Sequence, residues 1–415
     1  MNVLHIIPSM NPSTGGPCQG IRNIVPELKK LGVHNEVVCL DDPTDSFLGK
    51  DPFVIHAIGP SVMKWQYNRN LVPWLMEHLS RFDIIIVHAL WLYHGFATKQ
   101  ALQQYRKALV SSGKNVMVPR LFVMPHGMLD PYFQKASERK IKALRNWAYW
   151  KFIESKVVND AEGLLFTCNT ELLLARESFT PYHPKKELNI GYGVQSPPLF
   201  ETGMMTAFFE TCAAVKDAPY IVFLGRIHKK KGIDHLIEAY AKLCEKNQEN
   251  KNFSARGSIL PKLVIAGPGL DTAYGQKIQQ LVSASVNLRE SVFFPGMLKG
   301  DAKWGAFYGS QAFILPSHQE NFGIAVVEAL ACGKPVLISN QVNIWREILD
   351  AGAGKVADDT IEGTQNLLES WLQLSSEERR AMGERAKNSF ASNFSIQPAA
   401  KRFCESLYLK VTAEN

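Results

Sequence analysis

Apolar residues along the chain fall into two alternating patterns. Short runs rich in Val and Ile occupy residues 3–7, 36–40, 53–58, 84–87, 121–124 and 163–167, then 220–224, 262–266, 292–294, 312–315, 335–338 and 354–356. Runs apolar at successive positions suit strands buried on both faces of a parallel sheet. Between them, stretches such as 18–31, 233–244, 274–286 and 323–332 carry apolar residues at helical spacing. This alternation predicts doubly wound α/β sheets, and each half has enough units for its own. Residues 195–218 open with Ser-Pro-Pro and show no clear strand, so the linker is expected near 195–200. The tail 396–409 reads as a helix with Phe403, Leu407 and Leu409 apolar. The expected domains are 1–197, joined by a C-terminal helix at 395–415, and 198–394. Their strand-to-helix loops are where α/β ligands bind.

Composition narrows the class. Of 415 residues, 46% are hydrophobic and 20% charged, which excludes a disordered chain, a collagen and a coiled coil. The net charge of +7 is uneven: residues 99–156 hold 12 basic and three acidic side chains. An anionic partner for that stretch follows from the field it creates. The seven cysteines include no CxxC pair, which speaks against a zinc site and for a reduced, cytoplasmic protein. The first ten residues lack a basic n-region, and residues 84–93 reach only about half a membrane span. Any membrane contact is expected to be peripheral, at the inner face.

Several loops could carry chemistry. Residues 8–17 place Gly15-Gly16-Pro17 ahead of a helix, where a phosphate can approach backbone N–H groups; a plain tight turn is the other reading. After the run 220–224, Gly225-Arg226 and Lys231-Gly232 put two cations on a loop and helix start, suited to a diphosphate. Lys229 and Lys230 read as solvated. Residues 313–336 contain Glu320 on a loop, Phe322-Gly323-Ile324 at a helix start, and Glu328 alone in an apolar helix. A carboxylate so placed needs a donor: sugar or ribose hydroxyls, a nearby Lys, or a backbone N–H. His126 sits between Pro125 and Gly127 after a strand, either meeting substrate or closing a loop. Residues 134–161 read as a helix mixing Arg139, Lys140, Lys142, Arg145, Lys151 and Lys156 with Trp147, Tyr149, Trp150 and Phe152. Such a helix contacts anionic lipid, or packs its aromatics on the core. The chain has no nucleic-acid motif, and nucleic acid is not an expected partner.

Assembled, these residues resemble the retaining family-4 glycosyltransferases (glycosyl transferases group 1). The carrying motifs are Glu320-x7-Glu328 with Ala329-x3-Gly333-x-Pro335-Val336, then Gly225-Arg226 with Lys231-Gly232. Leu263 to Gly269 and Val292 to Gly296 add two landmarks. Residues 220–357 are covered closely and the first half loosely. The resemblance implies an α/β GT-B fold, two Rossmann-like doubly wound domains facing across a cleft. The first would be acceptor-side and the second would bind the nucleotide sugar.

It also implies transfer of a sugar, with retention, from a UDP- or other NDP-sugar to a hydroxyl of a glycan or lipid-linked sugar, in polysaccharide or glycoconjugate biosynthesis. Arg226 and Lys231 would hold the diphosphate and Glu328 the ribose. Glu320 would face the sugar, and the backbone of Phe322, Gly323 and Ile324 would bind sugar or phosphate. Gly15 and Gly16 would approach the diphosphate, and His126 would lie near sugar and acceptor. No Asp-x-Asp occurs, so neither metal nor cofactor is expected. Two departures stand out: Tyr192-Gly193-Val194 replaces a common Asn-Gly-Val, and Asn343 to Glu347 lacks a Gly-rich approach. Two rival functions are a sugar-nucleotide epimerase of the same fold and a non-catalytic nucleotide-sugar-binding module.

Overall fold

Apolar runs form the strands of two parallel sheets, the central ones buried on both faces and the edge ones half-buried. The computed structural model describes residues 1–113, 117–136, 139–249 and 260–408. The chain divides into two compact units, Met1–Gly193 with Ile396–Asn415, and Val194–Ser395. Leu409 lies outside the described residues.

In the first unit the strands are β1 (Asn2–Ile7), β2 (His34–Cys39), β3 (Val54–Ala57), β4 (Ile84–His88), β5 (Arg120–Met124), β6 (Gly163–Phe166) and β7 (Glu187–Asn189), in the order β3-β2-β1-β4-β5-β6-β7. All pairs are parallel. The order reverses between β1 and β4, so the loops after these strands open on a switch point. β7 was not expected: Glu187-Leu188-Asn189 offers one apolar residue, and pairing with β6 makes it a strand. Helix Ile396–Tyr408 packs against helix Gly16–Lys30, with Phe403 and Leu407 in a core with Val3, Leu28, Ile84 and Ile86. Tyr192, the departure from Asn-Gly-Val, is buried and donates to the Gly16 carbonyl (2.7 Å). It also lies against Gly20, where a Cβ would stand 2.6 Å from its hydroxyl.

In the second unit, β8 (Tyr220–Leu224), β9 (Lys262–Ala266), β10 (Val292–Gly296), β11 (Ala312–Leu315), β12 (Val336–Ser339) and β13 (Gly354–Ala357) form a sheet ordered β10-β9-β8-β11-β12-β13, again all parallel. Its switch point falls between β8 and β11. Residues 195–218, read as having no clear strand, contain helix Thr202–Thr211, whose Met204 and Phe208 are buried. Gly305, in helix Gly300–Gly309, admits it closely: a Cβ there would sit 2.0 Å from the Met204 carbonyl.

The basic stretch 134–161 is a succession of elements and not one helix. Tyr132–Lys135 and Lys140–Tyr149 are followed by a π turn, Trp150–Glu154, and by helix Ser155–Asp160; Ser137 and Glu138 lie outside the described residues. The π turn adds a residue to the register. It turns Trp150 fully inward and brings buried Glu154 under the Trp91 N–H, which donates to it (2.9 Å).

Candidate functional site

In the second unit, the loops after β8 and β11 are tied together by backbone. Gly232, left-handed at φ 65°, approaches so closely that a Cβ would lie 2.0 Å from the Pro316 carbonyl oxygen. The His318 N–H donates to the Lys230 carbonyl (2.9 Å), and Ser317 Oγ lies 2.8 Å from the same oxygen. This fixes Lys231 beside Glu320, and the two form an ion pair with side chains 15% and 19% exposed. The Glu320 backbone is held by Gln341 and Asn343. Burial pushes the Glu320 carboxyl up, but Lys231, Lys230 and the Gly323 N–H outweigh it and hold the group below its ordinary range.

Gly323, at φ 78°, opens helix Ile324–Ala331. The Phe322 side chain is buried edge-on to Phe394. On that helix Glu328 pairs with Lys303 (2.6 Å). Lys303, on helix Gly300–Gly309, was missed by sequence reasoning. The requirement that Glu328 find a donor was visible, but 25 residues of separation hid which donor it would be. Arg226 is exposed and its guanidinium has no partner among the described residues. Lys229 is exposed as expected. The structure thus brings Lys231 and Glu320 together, gives Glu328 a protein partner, and leaves Arg226 open to an anion.

In the first unit, Gly15 (φ 95°) caps helix Gly16–Lys30, and among the described residues nothing beyond the adjoining chain lies within 4 Å of where a Cβ on Gly15 or Gly16 would stand. The loop before them is anchored by Asp41, which accepts from Ser9 Oγ (2.6 Å) and the Met10 N–H (2.7 Å). His126 follows β5 in the left-handed region, φ 53°. Such a conformation costs of order 1–3 kcal/mol for a residue other than glycine and collects at functional sites. Glu171, also unanticipated, holds this loop: it accepts from the Gly127 N–H (2.5 Å) and from Thr167 N and Oγ1 (2.8 and 2.6 Å). Behind His126 runs a line of hydrogen-bonded imidazoles. His126 Nε2 lies 2.9 Å from His88 Nδ1, and His88 Nε2 lies 2.9 Å from His5 Nδ1. Burial pushes His126 and His5 down to about 4, and His88 well below the ordinary imidazole value.

Among the described residues, no three His, Cys, Asp or Glu side chains gather as a metal site, and no helix is long and apolar enough to cross a membrane. On the basic stretch, Ile141 (88%), Leu144 (67%), Trp147 (53%) and Phe152 (67%) are exposed. Lys140, Lys142 and Arg145 share helix Lys140–Tyr149, and Lys151 lies over the Trp147 ring at 5.3 Å. Of its aromatics, Trp150 alone is fully buried.

Residues 206–389 match the family model for glycosyl transferases group 1, and residues 15–185 match that for the glycosyl transferase 4-like domain. The chain belongs to this family of glycosyltransferases. A D-inositol 3-phosphate glycosyltransferase of Kineococcus radiotolerans is 29% identical over 247 residues, 56% of this chain and 54% of that protein. Across its curated relatives the chain matches about half of their length, from 37% to 58%. Among solved structures, a glycosyltransferase from Rickettsia africae superposes with TM-score 0.72 at 16% identity, covering 100% of this chain and 99% of that one. Anabaena HepE in complex with UDP and glucose gives 0.67 at 15% identity, covering 99% and 100%. The fold is GT-B.

Proposed function

We propose that this chain transfers a sugar from a nucleotide-sugar donor to a hydroxyl of a glycan or lipid-linked acceptor, with retention and without a metal ion. The observation that carries this reading is the arrangement at the β8 and β11 loops: the Lys231–Glu320 pair, the open cation Arg226, and the start of helix Ile324–Ala331. In this reading Arg226 and Lys231 meet the diphosphate and Glu328 the ribose. Glu320 and the backbone of Phe322, Gly323 and Ile324 meet the sugar. In the first unit, Gly15 and Gly16 leave room for a phosphate and His126 meets a substrate hydroxyl. UDP in the HepE crystals supports the donor class, and the inositol-phosphate relative supports a hydroxyl as the acceptor group.

The step breaks the bond between the anomeric carbon and the leaving phosphate and forms one from the same face to the acceptor oxygen. The acceptor's proton passes to the leaving phosphate. Negative charge grows on that phosphate, where fixed cations stabilise the transition state more than the ground state. The exposed apolar residues and cations of 140–152 fit peripheral contact with an anionic membrane, which would bring a lipid-linked acceptor to a cytoplasmic enzyme. A thermal-shift screen with UDP, GDP, ADP and their sugars, followed by transfer assays in excess EDTA, tests the reading. Stabilisation by one nucleotide and its sugar, with transfer in EDTA, is expected. Activity that vanishes in EDTA and returns with Mg²⁺ or Mn²⁺ contradicts the metal-independent step.

A further inference from the structure

Asn35, His5, His88 and His126 form a diagonal line across one face of the seven-stranded sheet. Val3 pairs with Asn35, His5 with Ile86 and His88 with Met124. Each member therefore lies two residues nearer the carboxyl edge than the one before, on the same face, because side chains alternate along a strand. The Asn35 amide sets the direction of the line. Its nitrogen lies 3.0 Å from the Val33 carbonyl, which can only accept, so the amide NH₂ faces that oxygen. The amide oxygen then faces His5 Nε2 at 3.0 Å. That oxygen cannot donate, so His5 carries its proton on Nε2.

A neutral imidazole holds one proton, so His5 Nδ1 is bare and must accept from His88 Nε2–H. His88 Nδ1 is bare in turn and accepts from His126 Nε2–H. The line ends at His126 Nδ1 with a lone pair and no partner among the described residues. His94, the other imidazole at this place, stays outside the line: its Nε2 donates to the His88 carbonyl (2.7 Å). Neutrality of the rings follows from burial, since His5 and His88 are 1% and 3% exposed and every ring is pushed below its ordinary value. The rings also line an apolar cavity of about 30 Å³ with Ile86, Met124 and Phe403.

We infer that Asn35, His5 and His88 are positioning residues that lock His126 in the Nε2–H tautomer, so that it presents a bare Nδ1 to a substrate hydroxyl and disfavours an oxyanion there. The inference rests on the proposed transferase reading for the identity of that hydroxyl, which would belong to a sugar. It rests on the hydrogen-bond line alone for the tautomer. The left-handed backbone at His126, pinned through Gly127 by Glu171, fixes where Nδ1 points.

The test has two arms. Long-range ¹H–¹⁵N correlation spectra of the full chain labelled with ¹⁵N-histidine near neutral pH report each ring's tautomer. His5, His88 and His126 are expected as Nε2–H with bare Nδ1. A proton on His126 Nδ1 in the wild-type chain overturns the inference whatever the activity. In Asn35→Leu, where nothing sets the direction, His126 is expected to show mixed tautomers. Transfer by that variant should fall about fivefold in kcat/KM, the factor carried by one neutral hydrogen bond. Mixed tautomers with unchanged kcat/KM would overturn the role of Nδ1 toward substrate and leave the lock standing. A wild-type lock with no transfer of any nucleotide sugar would overturn the transferase reading instead. Should Asn35→Leu fail to fold, the wild-type spectrum still decides the tautomer.

Discussion

The two sheets carry opposite chemistry at comparable places. At the carboxyl edge of the six-stranded sheet the side chains are charged and paired: Lys231 with Glu320, and Lys303 with Glu328. In the seven-stranded sheet a neutral line runs from Asn35 across one face to His126 at the carboxyl edge, each ring held by the next. Charge in one unit and hydrogen-bond direction in the other are different means of preorganisation. The first suits an anion whose charge grows during reaction, the second a hydroxyl whose orientation matters. One topology thus serves either role according to a few loop residues.

The largest effects should come from the charged edge. Arg226→Ala and Lys231→Ala are each expected to lower the transfer rate about 10²–10³-fold, measured as kcat on the cognate nucleotide sugar. Their effects on stability should separate. Exposed Arg226 should cost about 0–1 kcal/mol. Removing Lys231 leaves Glu320 part-buried without its partner and should cost about 1–3 kcal/mol in denaturant unfolding. Equal stabilities for the two variants would break the contrast between an open and a paired cation.

Next in size is the pH response of the first unit. His5, His94 and His126 have ordinary values of 6.5 and folded values near 4. For such groups the unfolded chain binds more protons in that window. Stability is therefore full above about pH 6.5 and falls as pH drops toward 4, by roughly 2 kcal/mol per ring at pH 5. Glu154 acts in the other direction. Burial raises it from 4.5 to about 8, so the folded state keeps a proton that the unfolded state has lost, and stability declines as pH rises through that window. Glu154→Gln, which can still accept from the Trp91 N–H, should remove the alkaline decline, on the order of 2–4 kcal/mol by pH 9. Parallel denaturation curves for wild type and variant from pH 5 to 9 would show that Glu154 is not the titrating group.

The smallest effects lie on surfaces. Lys229→Ala, exposed beside Lys231, should change kcat less than twofold, within the ordinary range for an unpartnered surface cation. A loss matching that of Lys231→Ala would show the loop to be misassigned. Lys140→Glu with Lys142→Glu should reduce sedimentation with anionic vesicles while leaving turnover of a soluble acceptor intact. Unchanged sedimentation would remove the membrane from the account.

The sequence exposed the fold well because buried parallel strands announce themselves as continuous Val and Ile runs. Among the described residues, twelve such runs are strands, and only Glu187-Leu188-Asn189, with a single apolar residue, escaped. The charged edge was half legible. A lone Glu328 in an apolar helix demands a partner, and two cations after β8 are visible in order, but Lys303 is found only once helix Gly300–Gly309 packs beside it. The neutral edge was largely hidden. His126 stood out between Pro125 and Gly127, yet His5 and His88 sit inside apolar strands 83 residues apart. Their signal was the polar break itself, a histidine within NVLHII and another ending IIIVH. Glu171 gave no signal for holding the His126 loop, because that contact is to one backbone group, the Gly127 N–H, 44 residues away.

Calorimetric titration of UDP, GDP and ADP into the wild-type chain and into Glu328→Gln, in excess EDTA, tests the central claim most directly. One nucleoside diphosphate should bind the wild type saturably without metal. Glu328→Gln should bind it about 10- to 100-fold more weakly, the loss of a charge-assisted hydrogen bond worth about 1.5–3 kcal/mol. Equal affinity for the folded variant, or no binding of any of the three to the wild type, would contradict the account.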